Sequence, residues 1–513
     1  MVDGHQAVAQ DTITRAPAPR VYLIILSLLA ASFMVFQIAI LRELRFQLNT
    51  VFTLAPFLFS SVLILIGLGS LSARRIKGSG HRVLRWCVTI LPLLPLPLLA
   101  ATVLIATVFS PLQPLAVSGD RYLNSVIVSF LLVAVFGYGA VFFLQGLIFA
   151  LYFREGRQTG ILSKVYATDL LASGAGALAG GILVFVLTPT QMVMVASLML
   201  LLNVWLSFRY LEIPMVIVVA ETIMLLGLVT TEQLVGMTAK AESLRWRDAG
   251  LVYSTWSPYR RIDVVESADS LVVFTDGLPF HAYQKGAGAH TDDPRAIPVM
   301  LIPRDTGETR NILIIGAGTG SDVRIVRDLY PNELDVVAVE IDEGFIETAR
   351  TIEWLWEYYR TAEIIVQEGR YYLEGGEEQF DVVIYAYVDP QSAISKIGLP
   401  DANFLYTDAG IRSAYGRVKD GGILAITRVF LVQQEDEFVK RLCATLTAAG
   451  IAWTQTSLYR HRGSIRWGQY GNLATIHAFV SKGGDPPTVQ DTRLRSLQCT
   501  EGGRATTDLF PFS

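Results

Sequence analysis

The chain has 513 residues, a formal net charge of −4 and 52% hydrophobic residues. Because its C-terminal half contains no run of basic residues, a nucleic-acid partner is not indicated. Its three scattered cysteines, Cys87, Cys443 and Cys499, are too few for a disulfide framework or a zinc site, and the spacing of its six histidines indicates no metal.

Apolar runs dominate the chain up to residue 231, after an N-terminal tail over residues 1–20. We interpret 21–231 as an all-α, multi-span membrane domain, because about seven runs are long enough, or nearly so, to cross a bilayer. The runs lie near 21–41, 52–73, 86–109, 123–153, 165–187, 191–208 and 214–231. The lipid bilayer is therefore an expected partner. Gly174, Gly176, Gly180 and Gly181 lie at helical spacing and predict close packing of helices.

The remaining chain reads as globular. Alternating apolar and polar residues predict a small antiparallel β module, and apolar runs separated by helix-compatible segments predict a Rossmann-like α/β domain with a parallel sheet and one antiparallel edge. The expected boundaries are a linker over 232–249, the β module over 250–300, the α/β domain over 301–482 and a loop-like C-terminal tail over 483–513. Its strands are expected near 312–316, 335–340, 362–367, 381–386, 422–428, 451–458 and 474–481.

A glycine-rich turn follows the first of these strands. In the segment Asn311–Gly320, the residues Gly316, Ala317, Gly318 and Gly320 allow the backbone to turn tightly and approach a ligand. Glu340, at the end of the next strand, can accept hydrogen bonds from both ribose hydroxyls, and Ile341 follows it.

The spacing of this turn limits the class of ligand that it can bind. It is G-x-G-x-G and no lysine follows, which favours S-adenosylmethionine or its decarboxylated form over NAD or ATP. The alternative is a glycine-rich turn that binds nothing.

Six segments together resemble the spermidine synthase (polyamine aminopropyltransferase) family. They are Ser257–Ile262, Thr275–Gly277, Gly316–Gly320, Val339–Asp342, Gln367–Arg370 and Phe380–Pro390. Segments of the apolar half and the terminal Thr507–Phe512 resemble a bacterial subgroup in which this domain is fused to a multi-span membrane region. The resemblance covers nearly the whole chain.

The resemblance implies roles for individual residues. Glu340 would hold the ribose, Glu368 and Gly369 would lie beside the adenine, and Asp276 would form a hairpin turn first and contact the ligand second. The family's catalytic pattern Asp-Ser-x-Asp-Pro aligns with Ala386–Pro390, so only its second aspartate remains, as Asp389. Asp389 would act as the base, and Tyr387 is the next catalytic candidate.

The segment that would bind the acceptor departs from the family. Its acid and aromatic signature aligns with Asp292–Pro298, where the tyrosine and the final glutamate are missing and Arg295 would repel a polyamine. Phe280 replaces the usual glutamine after the Asp-Gly turn. A small-molecule acceptor, in particular an amine, is expected, but a strict requirement for putrescine is not.

Structural explanations compete with several of these roles. Asp389 before a proline could be a turn acid, and Tyr385 and Tyr387 could be packing residues. We expect His281 and His290 to be exposed loop residues rather than bases.

Three functions remain open from the sequence. The favoured one is a membrane-integrated transferase that uses decarboxylated or intact S-adenosylmethionine as donor, moves an aminopropyl-type group in polyamine biosynthesis and releases methylthioadenosine. A methyltransferase that releases adenosylhomocysteine is the enzymatic alternative, and a transporter or sensor with a regulatory nucleoside-binding domain is the other. A homodimer is left open.

Loop charges suggest an orientation in the bacterial inner membrane. The loop over 74–85 carries five basic residues and should be cytoplasmic, as should the N-terminus. Seven spans would then put the C-terminal half outside, where the donor is not supplied. The last run is short and contains Glu221, so it is expected at the interface or re-entrant. We therefore expect six to eight spans and a cytoplasmic catalytic half.

Overall fold

The structure of the chain is a computed structural model, and its described residues form two compact units that divide between Gly250 and Leu251. The described residues are 19–47, 54–76, 80–109, 128–230, 250–268, 270–276, 278–284, 293–301, 310–330, 334–388, 404–463, 465–466 and 472–508. The first unit is helical, and the second combines a small antiparallel sheet with a Rossmann-like α/β fold. The predicted fold class is confirmed.

The helices of the first unit coincide with the seven apolar runs. They are α1 (Pro19–Gln47), α2 (Leu54–Ala73), α3 (His81–Ile90), α4 (Pro95–Phe109), α5 (Gly139–Gln158), α6 (Leu162–Leu183), α7 (Pro189–Ser207) and α8 (Met215–Thr230). Pro189 occupies the first turn of α7, where its missing N–H is not needed, and Thr188 and Gln191 form a capping box there.

Fewer of these helices than predicted are long and apolar enough to cross a membrane. Within the described residues three qualify, Arg20–Leu44, Pro56–Ala73 and Pro189–Ser207, or up to five if each of two bent helix pairs counts as one span. In the first pair, His81–Leu93 meets Pro95–Ala106 at a bend of 59°. In the second, Val128–Gly137 meets Gly139–Gln158 at a bend of 51°. The helix Met215–Gly227 is too short to qualify.

Close packing at the small residues of α6 is confirmed for two of the four glycines. A Cβ added at Gly176 would lie 2.6 Å from the Cα of Ala31, and one at Gly180 would lie 2.6 Å from Cδ1 of Ile38. At Gly176 only glycine allows α1 and α6 to approach this closely, because the neighbouring atoms belong to the backbone, whereas the neighbour of Gly180 is the end of a flexible side chain. A Cβ at Gly174 or Gly181 would meet no described atom within 4 Å.

The second unit begins with a four-stranded antiparallel sheet. Its strands, in order across the sheet, are β1 (Gly250–Trp256), β2 (Arg261–Glu266), β3 (Ser270–Thr275) and β4 (Leu278–Gln284). Val264 and Val273 face each other across β2 and β3 and are fully buried, as the alternating pattern predicts.

A nine-stranded mixed sheet follows. Its strands are β5 (Arg310–Ile315), β6 (Leu334–Glu340), β7 (Glu363–Val366), β8 (Phe380–Tyr385), β9 (Val418–Leu431), β10 (Thr456–His461), β11 (Ile465–Arg466), β12 (Asn472–Ser481) and β13 (Leu494–Leu497). The spatial order is β13-β10-β12-β9-β8-β5-β6-β7, with β11 paired to β12.

The antiparallel part of this sheet is larger than predicted. Strands β9, β8, β5, β6 and β7 are parallel, whereas β12, β10, β13 and β11 all pair antiparallel. Strand β13 lies in the tail predicted as loop, and its backbone covers the edge that β10 would otherwise expose.

Helices cover both faces of the mixed sheet. They are α9 (Ala296–Met300), α10 (Ser321–Leu329), α11 (Glu343–Thr351), α12 (Glu353–Tyr359), α13 (Gly369–Gly375), α14 (Asp408–Gly416) and α15 (Glu435–Ala448). Residues of β5 alternate between two cores, since Ile312 and Ile314 pack on one face and Leu313 and Ile315 on the other. Both faces are apolar because a parallel sheet is buried on both sides.

A disulfide joins Cys443 in α15 to Cys499 beyond β13. Three scattered cysteines predict no disulfide framework, and this single bond has no local sequence signal because 56 residues separate the two cysteines. The bond holds the C-terminal segment against α15.

Candidate active site

The glycine-rich turn lies at the carboxyl end of β5, where a doubly wound sheet presents its ligand site. Gly316, Gly318 and Gly320 have φ values of 81°, 55° and 87°, a region that favours glycine. A Cβ at Gly316 would lie 2.0 Å from Cγ1 of Val388, and one at Gly320 would lie 2.6 Å from Cγ of Tyr359. Side chains at these positions are therefore excluded.

Glu340 ends β6 beside this turn, as predicted. Its Oε2 accepts a hydrogen bond from the N–H of Gly318 at 2.8 Å, and its Oε1 accepts one from the N–H of Asp342 at 2.9 Å. Only 6% of Glu340 is exposed. Burial raises the pKa of its carboxyl group, which the two backbone hydrogen bonds and Arg260 partly offset. Ile341 is 38% exposed beside it and offers an apolar surface at the same edge.

Asp342 is a buried acid that we had not assigned to the site. It accepts hydrogen bonds from the Ser257 hydroxyl at 2.8 Å and from the N–H of Gly344 at 3.0 Å, and its Oδ2 lies 3.5 Å from Nε of Arg260. It caps α11 and ties the β module to the α/β fold. Its backbone N–H donates to Oε1 of Glu340, so the start of α11 also helps to fix the Glu340 carboxylate.

The Glu368–Gly369 pair lies at the carboxyl end of β7, next to β6. The Glu368 carboxylate caps α13, since it accepts hydrogen bonds from the N–H groups of Arg370 at 3.1 Å and Tyr371 at 2.8 Å. Glu368 is exposed and Gly369 is buried. A Cβ at Gly369 would lie 2.6 Å from Cγ2 of Ile315, so the chain passes closely over β5.

Asp276 serves the hairpin between β3 and β4. It is 4% exposed and has a φ of 46°, and its Oδ1 accepts a hydrogen bond from the N–H of Arg261 at 2.9 Å. Its charge also helps to raise the pKa of Asp342, whose largest cause is burial. The turn role is confirmed, and a ligand contact stays a prediction.

The catalytic candidates follow β8. Tyr387 has a φ of 50°, a strained value for a residue with a side chain, and its hydroxyl bonds to Thr475. Burial raises the pKa of Tyr387, so the phenol stays protonated at neutral pH. Tyr385 is a packing residue, since it is fully buried and donates to the carbonyl of Gly410 at 3.2 Å. Asp389 and His290 lie outside the described residues.

A polar cluster, which we define as His281, Tyr283, Asp293, Arg295, Thr319 and Asp322, lies on the Tyr387 side of the glycine turn. The Tyr283 hydroxyl is 2.6 Å from the Thr319 hydroxyl, which belongs to the turn itself. Nε of Arg295 donates to Oδ1 of Asp293 at 2.9 Å. Only tertiary structure brings these residues together, so sequence reasoning missed the cluster.

His281 was predicted wrongly as a loop residue. It lies on β4, is partly buried, and its ring edge packs on Tyr283 at 4.2 Å between centroids. Its Nε2 is 2.7 Å from Nη1 of Arg295. The short alternation of β4 was the available signal.

Phe280 places an aromatic ring next to the glycine turn. It stacks on Phe345 with a centroid distance of 4.9 Å and remains 39% exposed. Its ring would be 3.3 Å from a Cβ at Gly318. The residue that replaces the usual glutamine therefore faces the glycine turn.

Among the described residues, no group of three or more His, Cys, Asp or Glu side chains could hold a metal ion.

Known proteins resemble this part of the chain. The family described as spermine/spermidine synthase domain matches residues 296–460. A polyamine aminopropyltransferase from Thermococcus onnurineus is 30% identical over 177 residues, which are 34% of this chain and 57% of the relative. One from Thermotoga petrophila is 28% identical over 195 residues, which are 37% of this chain and 58% of the relative. The chain thus spans less than two thirds of these relatives.

A solved spermidine synthase structure from Thermotoga maritima is also similar. It shares 23% identity over 46% of this chain and 74% of that chain, with a TM-score of 0.34. The glycine turn lies within the residues that the family model matches. Residues 296–460 thus match a spermine/spermidine synthase domain, and this part of the chain is similar to polyamine aminopropyltransferases.

Proposed function

We propose that the second unit transfers an aminopropyl-type group from an adenosyl sulfonium donor to a small nucleophile and releases methylthioadenosine. The observation that carries this proposal is the Glu340 carboxylate, buried at the end of β6 and bonded to the N–H of Gly318. A fixed carboxyl acceptor beside a glycine turn suits the two hydroxyls of a ribose. The match to the spermine/spermidine synthase domain supports the same reading.

The reaction needs little covalent help from the protein. The nucleophile attacks the carbon next to the sulfonium, the carbon–sulfur bond breaks, and its electron pair stays on sulfur as the thioether of methylthioadenosine. One proton leaves the nucleophile. The protein must hold the two reactants in line and accept that proton, which are positioning and general-base roles.

The residues divide these roles along the sheet edge. Glu340 and Ile341 face the ribose, Glu368 lies on the adenine side, and Gly316, Ala317, Gly318 and Gly320 let the nucleoside approach. Tyr387, next along the edge, is a protonated phenol and can donate but not accept a proton. We assign the base to Asp389, two residues beyond.

The acceptor site supports a diverged substrate. Arg295, with Asp293 and His281 as its described partners, brings a cation to the side of the turn where a polyamine would have to bind as a polycation. Phe280 adds an apolar ring where the family has a glutamine. Both changes disfavour a diamine with two charged ends. A small amine with one cationic group is better matched.

We also propose that the first unit anchors the enzyme in the cytoplasmic membrane, with the second unit on the cytoplasmic side. The apolar helices support a membrane location. Supply of the donor supports the side, whereas the Cys443–Cys499 disulfide is a bond that oxidising compartments favour.

Product analysis tests the proposed chemistry. The purified full-length protein is incubated with S-adenosylmethionine or its decarboxylated form and a panel of amines, and the nucleoside product is identified. Methylthioadenosine is expected. Adenosylhomocysteine would replace this proposal with a methyltransferase, and ligand binding without any product would support a sensor or transporter.

A further inference from the structure

The reactive end of the proposed site contains both signs of charge. The ribose acid Glu340 ends β6 on one side of β5, and Tyr387 follows β8 on the other side. The polar cluster lies on the Tyr387 side, because Thr319 of the turn bonds to Tyr283 and Arg295 is close enough to Tyr387 to lower its pKa against the larger effect of burial. A donor whose ribose meets Glu340 therefore extends its sulfonium substituents toward this cluster.

Arg295 pairs with one acid and lies near a second. Asp293 accepts from its Nε at 2.9 Å, with a second ion-pair contact to Nη2. Asp322, in the first turn of α10, is 5% exposed and close enough to Arg295 for the guanidinium to lower its pKa against the rise that burial causes. Asp293 binds the Nε and Nη2 side of the guanidinium, so a ligand carboxylate would bind at the Nη1 and Nη2 side, and the two acids near Arg295 can bind an ammonium.

The two donors differ in the group that would meet this cluster. The tail of decarboxylated S-adenosylmethionine ends in an ammonium alone, for which an arginine is a repulsive neighbour. The tail of S-adenosylmethionine ends in an ammonium and a carboxylate on one carbon. A guanidinium binds a carboxylate through two parallel N–H bonds, and a buried aspartate binds an ammonium.

On the basis of the proposed function, we propose that Arg295, Asp293 and Asp322 form a receptor for an amino-acid zwitterion, so that the donor is S-adenosylmethionine with its carboxylate intact. The group transferred is then 3-amino-3-carboxypropyl. The γ-carbon of the methionine part forms the bond to the acceptor, its bond to sulfur breaks, the electron pair remains on sulfur in methylthioadenosine, and the acceptor loses one proton to the base. No oxidant or metal is needed for this balance.

Binding of two product-like ligands tests the receptor without turnover. Adenosylhomocysteine carries the zwitterionic tail, and methylthioadenosine has the same nucleoside without it. Titration calorimetry on the full-length protein should show that adenosylhomocysteine binds roughly 10- to 100-fold more tightly than methylthioadenosine. This is the difference in affinity that one charge-assisted hydrogen bond contributes. Arg295→Met should abolish this difference while methylthioadenosine affinity stays within about 3-fold. Arg441→Met, which removes a partly exposed arginine with an ion pair to Glu437 in the same helix, is the matched control.

Each outcome has a defined meaning. If adenosylhomocysteine binds no more tightly than methylthioadenosine to the unmodified protein, the receptor is refuted while the nucleoside site stands. If neither ligand binds, the proposed function itself fails. Should Arg295→Met lose both ligands through misfolding, Asp322→Asn takes its place, and it must reduce the preference for adenosylhomocysteine. Steady-state turnover must agree, with kcat/KM higher for S-adenosylmethionine than for the decarboxylated donor. The reverse preference would overturn the inference.

Discussion

The carboxylate of Glu340 and the backbone N–H of Gly318 are joined by a hydrogen bond of 2.8 Å. This bond links the end of β6 to the turn after β5, so the acid and the glycine turn have a fixed geometry before a ligand binds. Each carboxylate oxygen can accept more than one hydrogen bond, so the ribose hydroxyls can bind without displacing the backbone donors.

Replacement of Glu340 tests the ribose assignment. Glu340→Gln keeps the shape but removes the charge and turns one acceptor into a donor that faces a backbone N–H. We expect methylthioadenosine to bind about 1.5–3 kcal/mol more weakly, the range for a hydrogen bond to a charged group. Calorimetry measures the change, and Glu347→Gln on the exposed face of α11 is the control. Equal affinities of the wild type and Glu340→Gln would remove Glu340 from the site.

The dependence of binding on pH tests the protonation of the same residue. Burial raises the pKa of Glu340, so its carboxylate gains a proton at a higher pH than the ~4.3 of an ordinary glutamate. Methylthioadenosine affinity should therefore fall as pH decreases through that raised pKa.

The stability of the folded protein should depend on pH in the opposite direction to ligand affinity. A raised pKa in the folded state means that the contribution of Glu340 to folding is complete below ~4.3 and is lost as pH rises through the folded value. Glu340→Gln should flatten both dependences. Identical pH profiles for the wild type and the variant would assign the titration to another group, such as Asp342, whose pKa is also raised by burial.

The strands that build the site could be predicted because their signal is local. The run near 312–316 corresponds to Arg310–Ile315, and Glu340 ends its strand as expected, since continuous apolar runs followed by glycine or acids are characteristic of buried parallel strands. Strand Leu494–Leu497 was missed because two of its four residues, Arg495 and Ser496, are polar and it only covers an edge.

The polar cluster could not be predicted for a different reason. Thr319 and Asp322 lie in and just after the glycine turn, but Arg295 precedes them by more than twenty residues and Tyr387 follows them by more than sixty. Their proximity results from the parallel order of β5 and β8 and from the docking of β4 near the glycine turn. The family pattern predicts that Arg295 repels polyamines, but only the fold shows that Arg295 has acidic neighbours.

Reduction of the Cys443–Cys499 disulfide should destabilise the second unit. The bond closes a segment of 56 residues, and loops of this size typically contribute about 2–4 kcal/mol through the unfolded state. Denaturant unfolding of the purified protein with and without reductant measures the loss. Reductant should have no further effect on Cys443→Ser. A wild type that responds to reductant no more than this variant would contradict the expected contribution.

The side of the membrane can be decided with two reporters. We expect a reporter fused after Ser513 and one inserted within 74–85 to both read cytoplasmic, because the basic loop and the supply of donor favour that side. Alkylation of thiols in intact cells should then find Cys443 and Cys499 reduced. Opposite readings from the two reporters, together with an oxidised cysteine pair, would place the second unit outside and indicate an odd number of spans.

Catalysis and acceptor choice can be tested at Asp389. Glu340 and the glycine turn are in place on the nucleoside side, whereas the family's acceptor tyrosine and final glutamate are missing and Phe280 replaces the usual glutamine. We expect methylthioadenosine release that neither requires nor prefers putrescine. Asp389→Asn should lower kcat by about 10²-fold or more and leave methylthioadenosine affinity within a few fold, as expected for a base that acts in the transition state.

Tyr387→Phe separates the base from its neighbour. Because the Tyr387 phenol stays protonated at neutral pH, its loss should remove a hydrogen bond and reduce kcat by only about 10-fold, without shifting the acidic limb of the pH–rate profile. Strict dependence on putrescine would restore plain spermidine synthesis, and an Asp389→Asn variant with full activity would transfer the catalytic role to Tyr387.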